Sequence, residues 1–240
     1  MIDRSFIEKI VDLATPVLVT VSGREYSTQQ IHPVKDPVMP GFKVSTLSSI
    51  VDYIVDNFDE ANKLVIHVES EASVKLFSPI FGKYRQRDEM LQAQPSVKPF
   101  QFGTRMSIES FIISMQALFI ADETTAQILK IVGNITDNAT RNHSDDGVTQ
   151  SVTAKSGIVR VENTPLPNPV MLRPYRTFIE IEQPASRFVF RMSTGHNGPE
   201  CMLVEADGGA WKMAAIDSIS SYFKEHLQDL IAAEKVHILA

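Results

Sequence analysis

The densest group of ionisable side chains in the 240-residue sequence lies between Asp137 and Asp146, which holds Arg141, His143 and Asp145 as well. Carboxylates and imidazole are ligand types for a hard or borderline cation. Their spacing here matches no fixed metal loop, and a turn rich in Asp and Asn forms without a metal. No metal is therefore expected, and the run reads as a polar connection between a helix and a strand. A second group is Lys83-Tyr84-Arg85-Gln86-Arg87, the most basic stretch. Cations beside an aromatic can hold phosphate or a single nucleic-acid strand, so Lys83, Arg85, Arg87, Arg141, His143 and Lys155 are candidates for that contact. Asp88 and Glu89 follow directly, and a solvated face with paired charges is the competing reading.

A third group is spread along the C-terminal half. Arg173, Arg176, Arg187 and Arg191 flank Glu180 and Glu182. Read on one strand face, the two carboxylates either form a pair or face the arginines in a charge ladder. The same arginines lining a cleft with Trp211 or Tyr175 would suit an anionic ligand carrying a ring, which makes Arg173, Arg176 and Trp211 candidate ligand residues. No phosphate-binding glycine loop, zinc-protease helix or nucleophile elbow is present. Gly208-Gly209 reads as a tight turn after Asp207. Without a catalytic motif, binding rather than catalysis is expected, with no cofactor.

Composition narrows the classes further. The formal charge of −6 argues against a general DNA-binding surface, because phosphate binding draws on Lys and Arg releasing counterions. The single cysteine, Cys201, excludes an internal disulfide and sits in an apolar run that predicts a buried thiol. No signal segment and no apolar run of bilayer length is visible, so a cytoplasmic protein without a membrane partner is expected.

The elements that must carry these groups follow from periodicity. Phe6, Ile7, Ile10, Val11 and Leu13 predict a short amphipathic helix ended at Thr15-Pro16, and Ser22-Gly23 joins two extended runs as a hairpin. Val44, Leu47, Ile50, Val51, Ile54, Val55 and Phe58 predict a helix with Ser45 as N-cap. Leu64–Glu69 and Ser73–Phe77 predict paired strands, with His67 a structural histidine on the less apolar face, and Gln92–Pro99 reads as a connector. Two helices follow, striped by Ile108, Phe111, Ile112, Met115, Leu118 and Phe119, then by Ile128, Leu129, Val132 and Ile135. Val148–Ala154 and Ile158–Val161 read as strands. The four prolines between Asn163 and Pro174 predict a segment along a sheet edge or over the surface. Thr177–Glu182 and Arg187–Met192 read as half-buried strands, and Ile216, Ile219, Phe223, Leu227, Leu230 and Ile231 as a final helix. The expected class is α+β, largely antiparallel, with four to five amphipathic helices. A division into a smaller N-terminal lobe, residues 1–82, and a larger C-terminal lobe, residues 100–240, is possible, as is one continuous domain. A half-apolar strand face and a long amphipathic helix suit a homo-oligomer.

Several runs resemble a family of phage and prophage proteins of unknown function, the YfdQ-like proteins, with the nearer likeness to phages of Gram-positive bacteria. They are Val44–Tyr53 with Leu64–Val68, Glu109–Ile113, Leu129–Ile135, Asp145–Gln150, Pro174–Phe178, Arg187–Arg191 and Glu205–Trp211. The resemblance covers residues 40–230. It implies a bacteriophage product in the bacterial cytoplasm, a non-enzymatic accessory of phage DNA metabolism that binds a phage or host protein or single-stranded nucleic acid. The alternative is an anti-defence inhibitor that binds a host protein or sequesters a nucleotide signal. No catalytic residues come with the resemblance.

Overall fold

The computed structural model describes residues 3–30, 40–56, 62–83, 85–134, 141–145, 149–154, 165–195 and 198–240, with the backbone alone for 24–25, 141–145, 149–154 and 165–167. Among the described residues, six helices and fourteen strands make an α+β fold in four largely antiparallel sheets. The chain divides into two compact units, residues 1–39 and 40–240.

The first unit holds α1 (Arg4–Ala14) and the hairpin of β1 (Leu18–Val21) and β2 (Arg24–Ser27), paired through the expected turn at Ser22-Gly23. Gly23 has φ +77°, in the left-handed region that hairpin turns require. No residue of α1 is buried.

The second unit contains two apolar cores. The first is built on a five-stranded sheet, ordered β14 (Val236–Leu239), β4 (Leu64–Ser70), β5 (Ser73–Phe77), β6 (Glu89–Ala93) and β3 (Phe42–Val44). Alternation in β4 buries Leu64, Ile66 and Val68 and leaves Val65 and His67 half-buried, as a strand with one face on a core must. Onto that face pack α2 (Ser48–Val55) through Ile50 and Ile54, and α5 (Ala210–His226) through Ile219 and Phe223. The outer pairs β14–β4 and β3–β6 are parallel. The sheet thus takes strands from both sides of the division considered near residues 80–100. Three of its members, β3, β6 and β14, are absent from the sequence reading, which took Val44 into the following helix.

The second core lies against a four-stranded antiparallel sheet, ordered β11 (Val170–Leu172), β12 (Ser186–Gly195), β13 (Gly198–Glu205) and β7 (Met106–Ser107). Phe188 and Phe190 of β12, with Cys201 and Leu203 of β13, meet Phe111 and Met115 of α3 (Ile108–Leu118) and Ile128 and Val132 of α4 (Glu123–Gly133). Ser107 and Asp122 cap these helices by accepting the N–H groups of Ser110 and Thr125. The proline-rich run supplies β11 at the sheet edge, where a missing N–H is tolerated. Buried Asn168 lends its amide to Phe190, donating to the carbonyl and accepting from the N–H.

Four expectations about individual elements change. Thr177–Glu182 is not a strand but part of an irregular connector between β11 and β12. The polar run after α4 contains a strand, β8 (Arg141–Asp145), paired with β9 (Thr149–Ala154), which pairs in turn with β10 (Pro165–Pro167). Finally, α2 is not capped by Ser45: Thr46 Oγ1 accepts the Ser49 N–H at 3.3 Å, and Glu180 takes those of Leu47 and Ser48. The final helix also breaks at Leu227 into α5 and a short α6 (Gln228–Ala232), giving one helix more than expected.

Candidate binding site

The connector from Arg173 to Ala185 joins the two cores of the second unit: backbone hydrogen bonds of Arg173 and Tyr175 bridge its start to the end of α3 around Phe119, and side chains hold the rest. Phe178 and Ile181 enter the first core. Thr177 donates to the Glu71 carbonyl at the β4–β5 turn. Buried Gln183 donates to the carbonyls of Phe178 and Ile181 and accepts the Arg176 N–H, so the exposed backbone turn is tied from within.

Arg176 is the centre of this arrangement. Its side chain is 7 % exposed. The guanidinium lies 3.8 Å from the ring centre of Trp211, in the first turn of α5, and 5.6 Å from that of Phe188 in β12. It donates to Glu205 at 2.7 Å and to Ser186 Oγ. Burial pulls its pKa down to about 10 against the opposing pull of Glu205, Asp207 and Glu71; the group stays charged at neutral pH. Burial pushes the Asp207 carboxyl up, but hydrogen bonds from Ser186 and the Gly209 N–H, with the Arg176 charge, bring it below the usual value. Ser186, Asp207, Glu205 and Arg176 thereby form one connected polar network.

Beside this network opens a trough of about 470 Å³. One wall is the start of β12, with Ser186 and Arg187; the other is the β13–α5 turn and the first turns of α5, with Asp207 and Trp211. Met171 and four alanines, Ala185, Ala206, Ala210 and Ala214, complete the lining. Alternation in β12 sends Phe188 into the core and therefore leaves Arg187 exposed on the opposite face. The guanidinium of Arg187 is in no ion pair among the described residues. The trough thus combines a small apolar lining, the 8 % of Trp211 left exposed beside Arg176 and an exposed cation, and its size falls in the range of small-molecule sites.

Of the sequence-derived candidates, Arg176 and Trp211 come together here. Arg173 does not; it pairs with Glu182 at 3.2 Å on the surface. Glu180 caps α2, so neither the carboxylate pair nor the charge ladder exists. Lys83 and Arg85 are exposed at the tip of a hairpin arm closed by the Phe81–Gln86 bridge, and Arg87 Nη1 donates to the Ser78 carbonyl at the base of that arm. Arg141 and His143 lie in β8, where the backbone alone is described; Lys155, Tyr84, Asp137 and Asp146 lie outside the described residues. Sequence reasoning read Asp207 and Gly208-Gly209 as a turn, which they form, with positive φ at both glycines. It missed Ser186 and Glu205, for which no spacing signal exists.

A second, acidic trough of about 340 Å³ lies between the connector and α5, lined by Glu180, Glu182, Asp217 and Glu225 with Tyr222. Burial, with the charges of Glu180 and Asp52, raises the Tyr222 pKa. That surface repels phosphate. Among the described residues no group of three or more His, Cys, Asp or Glu converges as a metal site, and no helix is long and apolar enough to cross a membrane. No protein-family model, curated protein or solved structure matches the chain.

Proposed function

We propose that the protein acts by binding, and that the trough beside Trp211 takes a small anionic molecule with a flat ring, of the nucleotide class. The observation that carries this reading is an exposed, unpaired Arg187 in the lining of the same trough as Trp211 and four alanines. Arg187 meets the phosphate with its fork of donors, and the ring lies against the alanines beside the 8 % of Trp211 that stays exposed. The buried Arg176 network holds the Trp211 side of the trough in place; its Ser186 and Asp207 groups are consumed by internal hydrogen bonds and serve no acid–base chemistry. Isothermal titration with nucleoside mono-, di- and cyclic phosphates tests the reading. Binding at micromolar level that drops at least about tenfold in Arg187→Ala agrees with it; absence of binding across the panel contradicts it.

The biological setting that fits such a ligand site is the sequestration of a nucleotide signal by a phage product in the host cytoplasm, as the family resemblance implies. The accessory role in phage DNA metabolism draws on a different observation, the exposed Lys83 and Arg85 on their hairpin arm. Two cations on an acidic chain make a small electrostatic footprint. Single-stranded DNA binding that weakens steeply with salt and is lost in Lys83→Glu/Arg85→Glu would support that second role.

A further inference from the structure

Two surfaces of the second unit carry charges of opposite sign that do not meet within one copy. The first is the arm between β5 and β6, both members of that unit. Its two sides continue past the sheet through the Ser78 N–H donating to the Asp88 carbonyl, then through the Phe81–Gln86 bridge. At its tip Lys83 and Arg85 are exposed and in no ion pair among the described residues. Ile80 and Phe81 beside them are also exposed.

The second surface is the acidic trough beside α5. Asp217 and Glu225 line it from one face of that helix, about 12 Å apart along its axis, with Ser221 between them. Both are exposed and in no ion pair among the described residues. The other two carboxylates are engaged, Glu180 on α2 and Glu182 with Arg173. Glu180 and Asp52 add to burial in opposing the ionisation of Tyr222 in the same lining, so the local field favours a cation. The trough, of about 340 Å³, admits side chains rather than a whole strand. Lys and Arg side chains at one tip are long and flexible enough to reach both unpaired carboxylates. The exposed Ile80 and Phe81 favour a protein surface over a phosphate backbone, which meets cations alone.

We propose that the partner is a second copy of this chain: Lys83 and Arg85 on the arm of one copy enter the acidic trough of another and pair with Asp217 and Glu225. Sedimentation velocity of the full chain tests this. A contact led by a few exposed charges is weak, so the wild type should form species heavier than one chain at about 10–100 μM. Raising the salt from about 50 to 500 mM should weaken the association about tenfold or more. Lys83→Glu/Arg85→Glu and Asp217→Lys/Glu225→Lys chains should each stay monomeric, because like charges then face one another. Mixed in equal amounts they should associate again, since every arm now meets a trough of opposite sign. All four positions are exposed and unpaired, so an unchanged denaturation midpoint is expected in both variants. A monomeric wild type overturns the proposal, including one whose arm binds single-stranded DNA instead. So does an association that either variant keeps, or a mixture that stays monomeric.

Discussion

Glu180 accepts the backbone N–H of Ser48 at 2.8 Å across 132 residues of sequence, and its other oxygen takes that of Leu47 at 2.9 Å. A carboxylate delivered from a distant connector thus does the work of an N-cap for α2, where helix N–H groups lack internal acceptors and the helix dipole favours a negative charge. The connector and the first core are fastened by this contact.

Glu180→Ala should therefore destabilise the protein by about 1–2 kcal/mol in urea denaturation. Glu182→Ala, two residues on, removes a surface pair in which the carboxylate is 82 % exposed. Its cost should stay within about 0.5 kcal/mol. Equal effects at both positions would show that the α2 cap contributes nothing particular.

How far the sequence reveals this structure depends on how local each signal is. The β4–β5 hairpin, β12 and helices α2 to α5 follow from alternation or a 3.6-residue stripe, because one face of each meets a core. Thr177–Glu182 imitates that signal: Phe178, Glu180 and Glu182 alternate with Ile179 and Ile181. In the structure Phe178 and Ile181 are both buried while Ile179 is 69 % exposed, a spacing set by a turn and by side-chain hydrogen bonds to other elements. β14 is illegible because its partner β4 lies far away in sequence, and the polar β8 offers no apolar alternation. Arg176 and Trp211 are each recognisable as candidates, but nothing in their spacing tells that one stacks on the other.

That stacking leads to a second prediction. Arg176→Met removes a charge that holds Glu205 and Ser186 and covers Trp211, and should cost about 1–2 kcal/mol, less than a fully buried pair, because the Glu205 carboxylate left behind is 41 % exposed and can be solvated. Arg176→Lys should recover little of it, since a single ammonium cannot lie flat on the indole while donating in two directions. The emission of Trp211, the single tryptophan, should move to longer wavelength in both variants as the ring loses its cover.

The network also carries a pH dependence. The Asp207 carboxyl is held below its ordinary value in the folded protein, so the folded state binds that proton less well than the unfolded chain does. The stability this supplies is complete above the unfolded value of about 3.9 and is lost as the pH falls through the lower folded value. Asp207→Asn should be less stable than the wild type at pH 6, and the gap should narrow as the pH drops from about 5 toward 2. A gap that is constant over this range would mean that the charge on Asp207 is immaterial.

Filling the trough separates its shape from its charge. Ala214 is exposed and lines it from α5; Ala214→Leu should leave the denaturation midpoint within the scatter of surface substitutions, about 0.5 kcal/mol, yet weaken nucleotide binding at least about tenfold in titration calorimetry.

The most direct measurement is the fluorescence of Trp211, the single tryptophan, which lines the trough. Titration of nucleoside phosphates into the wild type should change its intensity along a saturable curve, with the change lost in Arg187→Ala although that variant keeps the wild-type emission maximum. An unchanged Trp211 signal in the wild type, or an identical curve in Arg187→Ala, would contradict the assignment of this trough as the ligand site.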